Sequence, residues 1–320
     1  MSAVDVSVIV ATWKAAAFVE RALSSALVTG ILSVEVIAVD DASPDDTFAK
    51  LEQLAASDHR IKVARLTENS GPSAARNRAI ELASGRYVAV LDADDAILPG
   101  RLASLVAHAD RKRADIVVDN MTAVDEQGQQ LGPDTFLKSA QFRAARPIDL
   151  LTWIAYNQPL GGGDCLGYLK PLIRRSKLIE LGIRYDAGLR NSEDYYLIAH
   201  LLAAGSRMNY LPDPGYLYTR SSGSISHRLK PVHTRALLDA EARFQSDFHG
   251  RFSPKEAAAL SRRMRGLRNL HQFVCAIDAV QEKKFGAFLG LLASDVRASS
   301  YTLGMFARIA AGKVMKRKLV

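Results

Sequence analysis

The sequence predicts an α/β fold whose core is a doubly wound, mainly parallel sheet. Over the first 120 residues, short apolar runs rich in β-branched residues alternate with segments whose apolar residues repeat at helical spacing. The apolar runs show little polar alternation, which is typical of strands buried on both faces of a sheet. Such alternation of strand and helix indicates helices packed on both sides. The expected strands are residues 6–10, 34–39, 61–66, 87–91 and 116–118, and the expected helices are residues 18–27, 46–56, 73–83 and 101–109.

Turn and capping residues support these boundaries in chain order. Ser43-Pro44-Asp45-Asp46 supplies a cap, a proline near the first helical position and acids in the first turn. Gly71-Pro72-Ser73 begins the third helix in the same way, and Gly85 separates that helix from the next strand. From Pro231 the pattern stays helical to the end of the chain. We therefore expect a sheet-containing domain of residues 1–230 and a basic helical extension of residues 231–320.

The composition argues against a disulfide-rich or membrane-spanning protein. The chain has 320 residues, of which 48% are hydrophobic and 24% charged, so a sizeable globular core is expected. Cys165 and Cys275 are too few for a disulfide framework and lack the spacing of a zinc site. No apolar run reaches the roughly 20 residues that cross a bilayer, and the N-terminus lacks the basic region of a signal peptide. These features predict a cytoplasmic location.

The net charge of +8 belongs to the C-terminal part of the chain. Residues 231–320 hold 16 Lys/Arg and 7 Asp/Glu, so residues 1–230 carry about −1. The tail places apolar residues at helical spacing and then basic residues, namely Leu303, Phe306, Ile309 and Ala310, followed by Lys313, Lys316, Arg317 and Lys318. This pattern indicates an anionic membrane surface as partner, at the inner face of the cell membrane; a solvated helix packed on the preceding domain is the alternative. The slightly acidic first domain and the absence of a recognised motif argue against nucleic acid.

An acidic cluster, Asp92-Ala93-Asp94-Asp95, follows directly after the expected strand 87–91. In open α/β sheets, ligands bind beyond the carboxyl ends of the strands. Three carboxylates so close together repel one another unless a cation compensates them. Hard divalent cations such as Mg²⁺ or Mn²⁺ prefer oxygen ligands and bridge carboxylates to phosphates. The cluster therefore predicts a metal site, with an acidic turn that caps the next helix as the alternative.

Two further segments follow directly after strands, at the same edge of the expected sheet. Asp41 follows the second strand, and its carboxylate can accept a hydrogen bond from the N3–H of uracil. Trp13 follows the first strand and offers a flat face on which a base can stack. A helix N-cap is the alternative for Asp41, and core packing is the alternative for Trp13.

The segment 69–78 is a loop that runs into a helix N-terminus, where backbone amides can approach phosphate. Arg76 lies one turn inside this helix. Its guanidinium group can donate two hydrogen bonds to a phosphate or can pair with an acid of the cluster. Both roles stay open on the sequence.

Together these segments resemble the successive motifs of family 2 glycosyltransferases. The matching segments are residues 6–13, 39–43, 69–77 and 91–95, and their order and spacing agree over residues 4–220. The resemblance implies the GT-A fold, which is Rossmann-like, and an inverting transfer from a UDP-sugar. Ala11-Thr12-Trp13-Lys14 stands where the family commonly has Pro-Thr-Tyr-Asn, so the aromatic platform is kept and Lys14 is a departure.

The resemblance also implies roles for individual residues. Trp13 would stack on the base, Asp41 would contact uracil and Asp94 would contact the ribose. The further residues expected to bind the nucleotide-sugar are Thr12, Arg76 and Asp92, of which Asp92 opens the acidic motif. Asp95 and Asp94 would hold the metal, either Mn²⁺ or Mg²⁺. Further along, residues 216–227 resemble the segment that closes over the donor, which adds Arg220 as a diphosphate ligand and His227 as a metal ligand. Lys170 and Arg174, after the glycine triplet 161–163, are further candidates.

A fifth motif, residues 188–196, contains Glu193-Asp194 and is similar to the family's Glu-Asp pair. Inverting transfer is a single displacement at the anomeric carbon, and it needs a base to take the proton of the acceptor hydroxyl. The resemblance assigns Asp194 as that base and Glu193 as its neighbour, while a metal would neutralise the leaving diphosphate. The alternative is a helix first turn whose acids only favour the helix dipole.

The functional expectation is therefore a hexosyltransferase, with glucose as the expected sugar. Residues 163–175 look like bacterial succinoglycan-type enzymes, which implies exopolysaccharide or surface polysaccharide synthesis. The acceptor would be a saccharide or a polyprenyl-linked oligosaccharide. A nucleotidyltransferase or a glycosidase fits the motifs less well. A nucleotide-sugar-binding regulatory or structural partner of a polysaccharide assembly complex is the non-enzymatic alternative.

Overall fold

A computed structural model describes residues 4–28, 30, 32–160, 163–220 and 229–310. The chain divides into two compact units, one within residues 1–153 and 164–222 and the other within residues 154–163 and 223–320. The contacts within the chain place the change of unit after residue 222. The expected domain boundary at residue 230 stays a prediction. The short segment 154–163, which joins the second unit, has no counterpart in the sequence analysis.

The first unit is built on one ten-stranded sheet. Its strands are β1 Val6–Thr12, β2 Val34–Asp40, β3 Ile61–Arg65, β4 Tyr87–Val90, β5 Ala96–Ile97, β6 Ile116–Val124, β7 Gln130–Thr135, β8 Arg146–Ile148, β9 Leu172–Arg174 and β10 Met208–Thr219. The order is β3-β2-β1-β4-β9-β6-β10-β5, and β7 and β8 pair with β6 and β10.

The pairs among β3, β2, β1 and β4 are parallel, as the sequence predicts, and so is the pair of β6 with β10. The short β9 lies antiparallel between β4 and β6. The sheet is therefore mainly parallel at one side and mixed at the other, and the strand that joins the two parts was not predicted.

The helices of the first unit that pack on its sheet are α1 Val19–Leu27, α2 Thr47–Ser57, α3 Pro72–Leu82, α4 Arg101–Lys112 and α6 Arg175–Leu181. Helix α7 Glu193–Ala203 also belongs to this unit, and α5 Leu150–Ala155 begins in it and ends in the second unit. Every residue of β2 is buried, which explains its unbroken apolar run. On one face, Ala75 and Ala79 of α3 pack against Ile9, Ile37 and Val90. The small alanine side chains allow the α3 backbone to lie close to the strands.

The carboxyl ends of β1, β2 and β4 meet at one edge of the sheet. Thr12 pairs with Asp40 in register, and the amide of Leu91 donates to the carbonyl of Ile9. The polar residues that follow these strands therefore share the edge at which the sequence predicts ligand binding.

A buried carboxylate stabilises the other end of the same strands. Glu35 at the start of β2 accepts hydrogen bonds from the Ser7 hydroxyl (2.5 Å) and the Ser84 amide (2.7 Å), and Lys62 Nζ lies 2.6 Å from its second oxygen. Burial would raise the pKa of Glu35, but the hydrogen bonds from Lys62, Ser7 and Ser84 outweigh burial and lower it to about 2. Gly85 is needed beside this network, because a Cβ there would lie 2.5 Å from the Ser7 amide nitrogen.

We expect Glu35→Gln to lower the stability of the first unit in a pH-dependent way. Because the folded-state pKa lies below the usual value of 4.5, the ionised Glu35 stabilises the fold above pH 4.5, and this contribution is lost as the pH falls towards 2. The difference between wild type and variant should narrow between pH 7 and pH 3. The measurement is the urea midpoint at each pH, with the exposed Glu52→Gln as control; a difference that stays constant would contradict the prediction.

The second unit contains the helices α8 Pro231–Asp247, α9 Pro254–Gln281, α10 Phe285–Ser294 and α11 Val296–Ala310. Helix α9 begins with a reciprocal capping box between Ser253 and Glu256. Buried Arg263 of α9 pairs with buried Glu241 of α8 at 3.0 Å. The predicted helical extension is thus confirmed, since all four elements are helices.

The apolar residues of the tail do not form one exposed face. Phe306 of α11 packs against Phe273 and Phe288, with ring centroids 5.7 and 5.9 Å apart, whereas Leu303 is exposed. The side chains of Ile309 and Ala310, and the basic residues from Lys313 onward, lie outside the described part of the chain. Among the described helices none is both long and apolar enough to cross a bilayer.

Candidate active site

Five ionisable side chains meet at the carboxyl edge of the sheet. Arg76 Nη2 lies 2.7 Å from Asp92 Oδ1, and its Nη1 lies 2.7 Å from Glu193 Oε1. Lys170 Nζ lies 2.8 Å from Asp92 Oδ2 and 3.2 Å from Asp194 Oδ2. Three acids and two cations therefore form one continuous network, which leaves a net charge of −1 when all are ionised.

Asp92 is the centre of this network, because each of its oxygens faces a different cation. Burial would raise the pKa of Asp92, but Lys170 and Arg76 outweigh burial and hold it well below its usual range. The same acids raise the pKa of Arg76 and of Lys170 against the opposing effect of burial. Asp92, Arg76 and Lys170 are therefore held in their charged forms, and Asp92, whose side chain is 26% exposed, stays a predicted contact of the nucleotide-sugar.

Arg76 takes the second of the two roles that the sequence left open. Its side chain is buried and pairs with acids, and its contact with the nucleotide-sugar stays a prediction. The start of α3 is fixed by Asp41, whose carboxylate accepts hydrogen bonds from the amides of Ser70 (2.7 Å) and Gly71 (2.8 Å). Asp41 thereby ties the end of β2 to the helix that carries Arg76.

The two oxygens of Asp194 differ in their contacts: Lys170 donates a hydrogen bond to one, and Arg76 lies at ion-pair distance from the other. Asp194 Oδ2 faces Lys170, while the buried Oδ1 lacks a hydrogen bond of normal geometry among the described residues. The nearest cationic nitrogen to Oδ1 is Arg76 Nη1, at 3.7 Å. Tyr185 also interacts with this carboxylate: burial, the negative charge of Asp194 and a hydrogen-bonding interaction with Asp194 raise the pKa of Tyr185 well above its usual value. A buried carboxylate oxygen that lacks a hydrogen bond of normal geometry can accept a proton from a bound hydroxyl group.

The two remaining acids of the cluster differ in their surroundings. Asp94 is partly exposed, and burial together with Asp92 raises its pKa. Asp95 is 1% exposed, and its two oxygens accept hydrogen bonds from the Tyr216 hydroxyl and the Thr219 amide, both at 2.7 Å. Burial, Asp92 and Asp94 raise the pKa of Asp95 well above its usual value. The prediction that Asp95 binds a metal stays a prediction, and the geometry favours Asp94 as the more accessible oxygen donor.

The residues expected to bind the base lie at the same edge with different accessibility. Trp13 is 37% exposed, and the ammonium group of Lys14 lies 4.6 Å from its ring centroid. A base that stacks on Trp13 would share this face with Lys14, the residue at which the sequence departs from the family. Thr12 is buried, and its hydroxyl faces Asp40 and the carbonyl of Val39 at 3.4 Å, so its side chain contributes to the fold rather than to an open surface.

The segment expected to close over the donor is described only in part. Arg220 follows β10, is exposed, and donates its amide to the carbonyl of Val124 at 2.8 Å. His227 lies outside the described residues. Within the described residues, no group of three or more His, Cys, Asp or Glu side chains has the arrangement of a metal site.

The sequence did not indicate a role for several residues that hold the site in place. Arg21 donates to the carbonyl of Asp94 at 2.6 Å and to the Thr219 hydroxyl at 2.7 Å, which fixes the backbone of the acidic turn. Tyr216 accepts a hydrogen bond from the Asp92 amide and donates to Asp95. No local motif marks these residues, because their partners are distant in sequence.

Comparison with known proteins defines the class to which this fold and site belong. Residues 7–174 match the profile of Glycosyl transferase family 2. The succinoglycan biosynthesis protein ExoO of Rhizobium meliloti (strain 1021) is 33% identical over 291 residues, which cover 91% of this chain and 82% of ExoO. ExoU of the same organism is 32% identical over 89% of this chain and 82% of ExoU.

Solved structures agree on the fold. Residues 1–349 of S. aureus TarS in complex with UDP-GlcNAc match with a TM-score of 0.61 at 20% identity, covering 91% of each chain. The mannosyltransferase PcManGT from Pyrobaculum calidifontis, in complex with GDP-Man and Mn²⁺, matches with a TM-score of 0.56 at 18% identity, covering 98% of this chain and 88% of that one. The protein is thus a glycosyltransferase of the GT-A fold. More specifically, the chain belongs to glycosyltransferase family 2.

Proposed function

We propose that the protein is an inverting hexosyltransferase that uses a UDP-sugar, with glucose as the expected sugar, in bacterial exopolysaccharide or surface polysaccharide synthesis. The observation that carries the proposal is Asp194 Oδ1, a buried carboxylate oxygen that lacks a hydrogen bond of normal geometry among the described residues and lies 3.7 Å from Arg76 Nη1, while Lys170 holds the other oxygen. The relatives ExoO and ExoU, which are named for succinoglycan biosynthesis, support the process, and the TarS complex with UDP-GlcNAc supports a UDP-sugar.

In the proposed reaction, the acceptor hydroxyl oxygen attacks the anomeric carbon from the face opposite the diphosphate. A new carbon–oxygen bond forms as the bond to the diphosphate oxygen breaks, so the configuration inverts. Asp194 Oδ1 takes the hydroxyl proton. Glu193, held by Arg76 at 2.7 Å, positions the bound sugar or acceptor beside this oxygen.

The donor set suits a hard divalent cation, Mn²⁺ or Mg²⁺. Burial and Asp92 disfavour the charged form of Asp94, as its raised pKa shows, and a cation would relieve this cost. We propose Asp94 as a ligand, with Asp95 and His227 as the further ligands that the sequence predicts. When bound, the metal would neutralise charge on the leaving diphosphate. Arg220, exposed at the end of β10, is the proposed diphosphate contact.

The nucleotide would lie along the ends of β1 and β2. Trp13 supplies the exposed aromatic face, and Asp41 lies at the end of the neighbouring strand as the proposed acceptor for the uracil N3–H. Oδ2 of Asp41 already accepts hydrogen bonds from the Gly71 amide and the Asn69 side chain, and Oδ1 accepts one from the Ser70 amide, so this contact would use the remaining lone pair of Oδ1.

The experiment that tests the proposal is a donor screen with the purified full chain. UDP-, GDP- and dTDP-sugars are supplied with Mn²⁺ or Mg²⁺, with and without a membrane lipid extract, and release of nucleoside diphosphate is measured. Metal-dependent release from one UDP-sugar supports the proposal. Tight UDP binding without release under any condition would instead favour a nucleotide-sugar-binding partner of a polysaccharide assembly complex.

The proposed acceptor is a saccharide or a polyprenyl-linked oligosaccharide, and the proposed location is the cytoplasmic face of the cell membrane. Two features of the second unit support membrane attachment. Helix α10 has no charged residue, and its Phe285 and Leu289 are 63% and 64% exposed one turn apart. Lys283 and Lys284 precede it, and the basic tail lies further along. An exposed apolar face next to basic residues fits an anionic lipid surface.

We expect the full chain to float with liposomes that contain anionic lipid, because each basic residue near such a surface contributes about 1 kcal/mol. A chain truncated after residue 310, which keeps α11 and removes the basic residues from Lys313 onward, should float less, and so should Phe285→Ser with Leu289→Ser. Neutral liposomes are the control for the charge contribution. Equal flotation of all forms, or no flotation of the full chain, would remove the membrane as partner.

A further inference from the structure

Lys170 is a buried lysine that the chemistry above does not use. Its side chain is 10% exposed, and its ammonium group contacts both Asp92 and Asp194. An ammonium group carries three N–H donors and a full charge but no acceptor. Burial of such a group is costly unless acids surround it. Because Lys170 lies between two carboxylates, it can fix their positions relative to each other.

The backbone that carries Lys170 is held on both sides. Arg101 Nη2 donates to the Lys170 carbonyl at 2.7 Å, and Arg101 is itself paired with buried Asp119 at 2.7 Å. The next residue, Pro171, accepts a hydrogen bond from the amide of Val90 at 3.1 Å. Lys170 thus projects from a fixed segment next to the end of β4, directly beside Asp92.

We propose that Lys170 is a positioning residue for the catalytic base. It holds Oδ2 of Asp194 and Oδ2 of Asp92 on one ammonium group, which fixes the orientation of the Asp194 carboxylate and thereby the position of Oδ1, the proposed proton acceptor. The role rests on the proposed function of Asp194, but the contact between Lys170 and Asp194 does not. Arg76 is also near Asp194, but its Nη1 lies 3.7 Å from Oδ1, whereas Lys170 makes the hydrogen bond to Oδ2.

Two variants and a control separate positioning from a general loss of structure. Lys170→Met removes the charge at similar length, and Lys170→Arg keeps the charge. Lys177→Met, on the exposed side of α6, is the matched control. The measurements are the Kd for UDP by titration and kcat with the donor identified in the screen.

We expect Lys170→Met to lower kcat roughly 100-fold, the lower end of the range for a positioned base, and to leave the Kd for UDP within about threefold. Lys170→Arg should recover part of kcat, and Lys177→Met should match wild type. If Lys170→Met weakens UDP binding as much as it lowers kcat, Lys170 acts in donor binding or in folding and the proposal is overturned.

A double-variant cycle with Asp194→Asn gives a second test. Once the base is absent its positioning no longer matters, so Lys170→Met should lower the residual kcat of Asp194→Asn by no more than about threefold. A further 100-fold loss would overturn the proposal. If wild type transfers no sugar, the proposed function fails. The thermal midpoints of the four proteins then replace kcat as the measured quantity. Additive shifts of the midpoint would contradict a direct coupling between Lys170 and Asp194, and non-additive shifts would support it.

Discussion

Asp194→Asn should lower kcat by about 100- to 10,000-fold, the range over which a positioned general base contributes. The amide keeps the shape of the side chain and its contact distance to Lys170, but it cannot take a proton from the acceptor hydroxyl. Because the ion pairs of Asp194 are with Lys170 and Arg76 rather than with Trp13 or Asp41, the proposed base contacts, the Kd for UDP should stay within a few-fold of wild type. The measurement pairs a UDP titration with the rate of nucleoside diphosphate release in the presence of acceptor.

The control for this prediction is Asp134→Asn, which changes a carboxylate that is 65% exposed and paired only with Lys138 on the surface. It should leave both Kd and kcat unchanged. If Asp194→Asn retains wild-type kcat, Asp194 is not the base, and the helix-dipole interpretation of Glu193 and Asp194 becomes the better one.

The parallel half of the sheet and the positions of the chemical motifs could be predicted because their signals are local. Each of β1, β2 and β4 is an apolar run followed at once by polar residues, so the edge where Asp41 and Asp92 meet follows from the rule for parallel strands. The pair Glu193 and Asp194 was found at a helix start for the same reason. These inferences need only neighbouring residues and one topological rule.

The contacts that decide each acid's role could not be predicted in this way. Asp95 is buried and accepts a hydrogen bond from Tyr216, which lies 121 positions later in the sequence. Lys170 reaches Asp92 only because the three-residue strand β9 inserts antiparallel beside β4. A strand of three residues has no measurable periodicity, and long-range register is set by packing that the local pattern does not encode.

Arg76 shows how contacts between residues distant in sequence change the interpretation of a motif. On the sequence, an arginine at a helix start near a phosphate site suggests a phosphate ligand. In the structure it is 5% exposed and faces Asp92, Glu193 and Asp194. Its main effect is therefore expected on the stability of the acidic edge, because without it three buried carboxylates would face the single charge of Lys170.

Arg76→Met should accordingly lower the free energy of unfolding of the first unit by about 3–5 kcal/mol, the cost of removing one partner from a buried ion pair. Arg78→Met, two residues along the same helix, should lower it by less than about 1 kcal/mol, because Arg78 is 48% exposed and pairs with Glu81 on the surface. Trp13 and Trp153, the two tryptophans of the chain, both belong to the first unit, so their fluorescence reports its unfolding in urea.

The size of the Arg76 effect should also depend on pH. At pH 7 the unpaired carboxylates repel one another, whereas at lower pH protons can replace the missing cation, so the difference between Arg76→Met and wild type should shrink towards pH 4. Arg78→Met should show no such trend. Equal and pH-independent losses for the two variants would mean that the network of Arg76, Asp92 and Lys170 contributes no more than a surface pair. In that case the ordering of Asp194 would have to come from the packing of α7 alone.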